Sequence, residues 1–152
     1  KKSLHYIIQK TLEDKKNKTN SMIQSKLPKV LHSKEHAFTK VIKGWGYELH
    51  IENNTDYCSK LLVFEKGKKF SMHYHLDKYE TWYVQKGSLI FTWINPSDAN
   101  RITERLEEGD IVTIYQGIAQ QLEAKEDSII FETSTYDDAE DSYRVEKGDS
   151  QK

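Results

Sequence analysis

Gly67-Lys-Lys-Phe70-Ser71-Met72-His73-Tyr74-His75-Leu-Asp-Lys78-Tyr-Glu80-Thr81-Trp82-Tyr83-Val84-Gln85-Lys86-Gly87 is the stretch on which the reading of this chain turns. In an extended strand the side chains at i and i+2 share a face. His73 and His75 therefore present two imidazoles side by side, while Met72 and Tyr74 point away. Four residues then separate His75 from Glu80, enough for a turn and a return on a neighbouring strand. With Glu80 facing inward, Trp82 and Val84 follow it, and Thr81, Tyr83 and Gln85 face out. Two imidazoles and a carboxylate brought together in this way form a 2-His-1-carboxylate metal site, whose open positions take water or a substrate oxygen. Taken alone, a His-x-His pair on a strand also suits a hydrogen-bonded surface pair, so the flanking sequence has to decide.

Outward from this stretch, and from Val41 onward, the chain reads as short β-rich runs. They are Tyr47–Ile51, Lys60–Glu65, Thr81–Gln85, Ser88–Ile94, Ile111–Ile114, Gln120–Glu123 and Ser128–Thr133. Turn signals separate them at Asn53-Asn54, Lys66-Gly67, Lys86-Gly87, Asn95-Pro96 and Glu108-Gly109. Short strands at near-regular spacing, with no long helix between them, predict an all-β antiparallel sandwich or barrel. The 152 residues fit one such domain, and 36% hydrophobic residues supply one modest core, which excludes full disorder.

Before residue 40 the composition differs. Residues 1–40 carry ten lysines against Glu13, Asp14 and Glu35, whereas the remainder has 13 basic and 21 acidic residues. All seven glycines lie from Gly44 onward. This shift divides the chain into a basic N-terminal arm or linker, 1–40, and a β domain, 41–152. The lysines are interleaved with Asn, Thr, Ser and Gln, and the first arginine is Arg101. The arm thus reads as a solvated segment, with no nucleic acid and no membrane expected as partner. Leu4, Ile7, Ile8 and Leu12 recur at helical spacing and predict at most one short helix, and Pro28 interrupts anything longer. No run approaches the ~18 apolar residues of a membrane span. The first residues lack a signal-peptide core, and a lone Cys58 fits a reducing compartment. The expectation is a cytoplasmic domain.

The quoted stretch satisfies Gly-x5-His-x-His-x4-Glu-x6-Gly at every fixed position, and in this it resembles the first signature of the cupin superfamily. Gly109-Asp-Ile-Val-Thr-Ile-Tyr115-Gln-Gly117-Ile-Ala-Gln120 is similar to the second, Gly-x5-Pro-x-Gly-x2-His, with Tyr115 in place of Pro and Gln120 in place of the fourth ligand His. The resemblance implies a cupin double-stranded β-helix, that is, a jelly-roll barrel, with His73, His75, Glu80 and Gln120 as the metal ligands. A neutral amide at the fourth position binds more weakly than imidazole and suits Mn, Fe or Zn better than a soft ion; alternatively, Gln120 hydrogen-bonds a metal-bound water.

The flanks resemble type II mannose-6-phosphate isomerase cupins more closely. Lys43-Gly44-Trp45-Gly46-Tyr47-Glu48 is similar to that family's Arg/Lys-Pro-Trp-Gly entry, with Gly44 replacing Pro. Its Leu-Ser-Leu-Gln-x-His and Glu-His-Trp segments correspond to Phe70–His75 and Glu80-Thr81-Trp82. Its His-Arg-Leu-Glu-Asn corresponds to Gln120-Gln121-Leu122-Glu123-Ala124. A Gln and a His have exchanged places while the ligand set is kept. Tyr136–Arg144 resembles the tail whose Arg lies at the active site.

This resemblance implies a metal-dependent aldose–ketose isomerase acting on a sugar or sugar phosphate. Arg144 would clamp a phosphate or hydroxyl through its planar fork, unless it pairs with Asp137, Asp138 or Asp141. Glu132, if it faces inward on its strand, and Lys60, a polar interruption in an apolar one, are the candidate general bases. Trp45, Trp82, Trp93 and Tyr83 read as core or barrel wall, and His32, His36 and His50 as structural or solvated. Two other functions use the same ligands: an Fe(II)-dependent cupin dioxygenase, which needs iron and O2, and a non-catalytic sugar-binding module, which shows no turnover. Pairing through sheet edges makes a homodimer a further expectation.

Overall fold

The computed structural model describes residues 39–151. Their strands are β1 (Thr39–Lys43), β2 (Gly46–Asn53), β3 (Cys58–Phe64), β4 (Met72–Tyr74), β5 (Glu80–Lys86), β6 (Ser88–Ile94), β7 (Arg101–Glu107), β8 (Ile111–Ile114), β9 (Gln120–Ala124), β10 (Ser128–Ser134) and β11 (Tyr143–Glu146), followed by a 3-10 turn at Asp149–Gln151. A six-stranded sheet in the order β1-β2-β3-β10-β5-β8 faces a five-stranded sheet in the order β11-β4-β9-β6-β7. The neighbours pair antiparallel. This is the all-β antiparallel architecture expected from the spacing and the jelly roll implied by the cupin resemblance.

Each of the seven expected runs falls on a strand. On β5 the alternation is as read: Glu80, Trp82 and Val84 are buried and Tyr83 and Gln85 exposed. The strands the sequence did not announce, β1, β7 and β11, are all sheet edges with at most one buried residue each. An edge strand covered on neither face carries no hydrophobic alternation to read. The expected arm, with its short helix over Leu4, Ile7, Ile8 and Leu12, lies outside the described residues, apart from Thr39 and Lys40, which open β1. Among the described residues no helix is long and apolar enough to cross a membrane.

The core lies between the sheets. Trp45 stacks on Phe64 with ring centroids 4.4 Å apart, and Trp82 meets Phe70 and Phe91 edge-on. Leu62, Val84, Leu122 and Ile130 complete it. The inward positions change character along the strands: Phe64, Leu62 and then Lys60 on β3, Ile130 and then Glu132 on β10, and Val84, Trp82 and then Glu80 on β5 are all buried. One end of the interior is therefore apolar and the other charged. Gly87 turns β5 into β6 at φ +88°, and a Cβ there would sit 2.3 Å from Ser128 Oγ, so only glycine fits.

Candidate metal centre

The charged end opens into a cavity of about 450 Å³ whose lining includes His73, His75, Lys78, Glu80 and Glu132. His73 comes from β4 and His75 from the residue after it; their rings are 5.0 Å apart, edge to face. Each imidazole gives its Nδ1–H to a backbone carbonyl: His73 to Ser71 O at 2.7 Å and His75 to Asp141 O. A carbonyl only accepts, so both rings are fixed in the tautomer that leaves Nε2 as a lone-pair donor, the arrangement that orients metal-binding histidines. Burial holds the His73 imidazolium down to about 4, so the ring is neutral at pH 7.

Glu80 opens β5, and each of its oxygens accepts one hydrogen bond. Its Oε2 accepts from the Lys78 ammonium at 2.8 Å, and its Oε1 accepts from Gln120 Nε2 at 2.6 Å. Lys78 also reaches Glu132 at 2.6 Å and Asp137 at 3.1 Å. Burial pulls Lys78 down, but the Glu132, Glu80 and Asp137 carboxylates outweigh it and hold the ammonium well above its ordinary range. Burial pushes the Glu80 carboxyl up. It works the same way on Glu132, yet Lys78 and Lys60 outweigh it and keep that group below the usual carboxylate range.

The structure thus brings His73, His75 and Glu80 to one cavity. Gln120, the cross-strand partner of His73, stands behind Glu80 and supports it rather than lining the cavity, with its Oε1 buried and unpartnered. Among the described residues no three His, Cys, Asp or Glu side chains already stand grouped to hold a metal ion. Among the described residues the hydrogen-bond donors on Glu80 are Lys78 and Gln120. The donor chemistry nonetheless fits a divalent cation. Among the described residues neither Nε2 has a hydrogen-bond partner, each Glu80 oxygen keeps a second lone pair, and Lys60 and Lys78 leave one of the charges on Glu80, Glu132 and Asp137 uncompensated.

Lys60 and Glu132 face each other across β3 and β10, both buried and inward. Lys60 binds Asp137 at 2.5 Å. Burial lowers it, but the nearby carboxylates prevail and hold it above the ordinary lysine range. A group held protonated contributes charge, and takes up no proton. Arg144 pairs in register with His73 and lines the cavity; among the described residues it makes no ion pair with Asp137, Asp138 or Asp141.

Four participants are not signalled by the sequence reading. His50 and Glu48, two apart on β2, share the inner face and a 2.7 Å hydrogen bond, and Lys43 holds the other Glu48 oxygen at 3.1 Å. Their i, i+2 spacing is the same signal that exposes His73 and His75. Lys78 lies in the turn between His75 and Glu80, where nothing in the local sequence announces its burial. Asp141 accepts the backbone N–H groups of Leu76, Asp77 and Lys78 at 2.8–3.0 Å, and no local pattern announces that.

A family profile described as Cupin matches residues 47–148. Among solved structures, the chain is similar to the capsular polysaccharide assembling protein CapF from Staphylococcus aureus, with a TM-score of 0.66 and 17% identity over 73% of this chain and 32% of that one. It is also similar to oxalate decarboxylase from Bacillus subtilis at pH 4.6, with a TM-score of 0.63 and 16% identity over 71% and 30%. A third similar structure is the Lactobacillus farciminis oxalate decarboxylase formate complex, with a TM-score of 0.62 and 14% identity over 71% and 34%. The matched region spans about a third of each of those chains, and at these identities the likeness is one of fold. No curated protein matches the sequence.

Proposed function

The chain belongs to the cupin family, and on that premise we propose that it is a metal-dependent aldose–ketose isomerase of the mannose-6-phosphate isomerase type, acting on a sugar or sugar phosphate. The observation that carries this reading is that one cavity brings together His73, His75 and Glu80 with a separate hydrogen-bonded pair, His50 and Glu48. His73, His75 and Glu80 would hold one divalent ion, Mn, Fe or Zn, with Gln120 steadying Glu80 from behind. When bound, the ion supplies Lewis-acid polarisation of a substrate oxygen.

The chain's own residues supply the rest. Isomerisation moves a proton between adjacent carbons by way of an enediolate. His50 gives its Nε2–H to Glu48, which leaves Nδ1 as the basic nitrogen and the carboxylate to stabilise the imidazolium. Lys60 and Lys78 place fixed positive charge beside the cavity, where developing oxyanion charge is stabilised without reorganisation. Arg144, at the rim, clamps a hydroxyl or phosphate of the substrate. This reading assigns the chemistry to 41–152 and leaves the basic arm, 1–40, outside it.

The test is a panel of aldoses, ketoses and their 6-phosphates incubated with the full chain and Mn2+, Zn2+ or Fe2+ in D2O under argon. Interconversion with solvent deuterium entering carbon 2 is the expected result. A requirement for iron and O2 would replace the isomerase with a dioxygenase, and saturable binding with no turnover under any metal would reduce the protein to a binding module.

A further inference from the structure

We infer that Lys78 and a divalent cation compete for the Glu80 carboxylate, so that Lys78 sets how tightly the cavity holds a metal; this rests on the proposed metal centre and adds its control. The ammonium lies 2.8 Å from Glu80 Oε2, on the carboxylate that would complete the ligand set of His73 and His75. A cation bound to Glu80 would stand within a few ångströms of that ammonium, and because Lys78 and Glu80 are both buried the repulsion is weakly screened. Lys78 has no freedom to withdraw along its backbone, because its own N–H is held by Asp141 at 2.9 Å.

Its side chain does have somewhere to turn. Glu132 at 2.6 Å and Asp137 at 3.1 Å also bind the ammonium, from β10 and the segment after it. When a metal draws on Glu80, Lys78 keeps two carboxylates and is never left as an unpaired buried charge, the case that costs most. The same arrangement explains why the two histidines stand ready, Nδ1 committed and Nε2 open, while the carboxylate does not. Lys78 is thus a positioning residue that acts on the metal through Glu80.

The test is calorimetric titration of the full chain with Co2+ or Zn2+ alone, without substrate. Lys78→Met should bind the ion at least ~10-fold more tightly than the wild type, because a full positive charge leaves the site. Removing one partner of a buried ion pair can prevent folding, so Lys78→Met/Glu132→Leu is measured as well. It removes one charge of each sign, leaves the net charge of the cavity unchanged, and still frees Glu80. It should also bind more tightly. Unchanged or weaker affinity in whichever variant folds overturns the competition and leaves the metal centre standing. Failure of the wild type and of both variants to bind either ion overturns the metal centre and this inference together. Binding by the variants alone supports the competition and overturns the metal centre of the wild type.

Discussion

His50 is a residue whose meaning changes completely between sequence and structure. In the sequence it reads as structural or solvated; in the fold it hydrogen-bonds Glu48 at 2.7 Å inside the cavity. A single hydrogen-bonded dyad of this kind typically contributes ~10²–10⁴-fold to a proton-transfer rate. His50→Gln, which keeps a polar group of similar reach, should therefore cut the rate of deuterium incorporation by about that range while leaving metal content unchanged, as followed by NMR and elemental analysis. Equal rates in variant and wild type would remove His50 from the chemistry. Gly44 shows the converse, a departure from the family pattern with a plain physical cause. Its N–H donates to Ser150 Oγ at 3.0 Å, and a Cβ there would come within 2.2 Å of the Asp149 carbonyl oxygen. Proline, which stands at this position in the resembling family, has no N–H to give and too much bulk to fit.

At the level of elements, the segment from His75 to Glu80 is organised by a residue far along the chain. Asp141 precedes β11, accepts three successive backbone N–H groups, and through its carbonyl takes the His75 Nδ1–H. Those backbone donors outweigh burial and hold its carboxyl below the usual range. Hydrogen bonds to a charged acceptor are worth about 1.5–3 kcal/mol each before relaxation, so Asp141→Ala should destabilise the domain by roughly 2–4 kcal/mol. It should also weaken Zn2+ binding ~10-fold or more, read by thermal unfolding and titration. A loss of stability with metal affinity intact would show that Asp141 supports the fold alone.

This contact also marks the limit of what could be read in advance. The strands with one covered face, β2, β3, β5, β6, β8, β9 and β10, were legible because burial writes alternation into the sequence. The edges β1, β7 and β11 were not. The inward direction of Glu80 was legible from Trp82 and Val84 on the same strand. The ion pairs that surround Glu80 were not, because Lys78, Glu132 and Asp137 meet only once three segments are folded together.

Across the whole molecule, the interior grades from an aromatic and aliphatic end to a charged one, and the charged end carries a cost that depends on pH. His73 titrates at about 4 in the fold against an ordinary 6.5. Between those values the unfolded chain takes up a proton that the folded chain refuses, so stability falls as pH falls through that window. Glu80, held up by burial, opposes part of this fall. Below the usual carboxylate range the loss steepens, because Glu132, Asp137 and Asp141 are ionised in the fold and must protonate. Urea midpoints should accordingly decline from pH 7 to pH 4 and drop faster below it; a flat or rising profile from 7 to 4 would contradict the neutral, buried state of His73.

The cation-binding capacity of this cavity is tested most directly by elemental analysis of the protein purified without added metal and then dialysed against a mixture of Mn2+, Fe2+ and Zn2+ under argon. The wild type should retain one divalent ion per chain, and His75→Ala should lose it while keeping its β-sheet circular dichroism. A metal-free wild type, or a folded His75→Ala that holds as much metal as the wild type, would contradict the account.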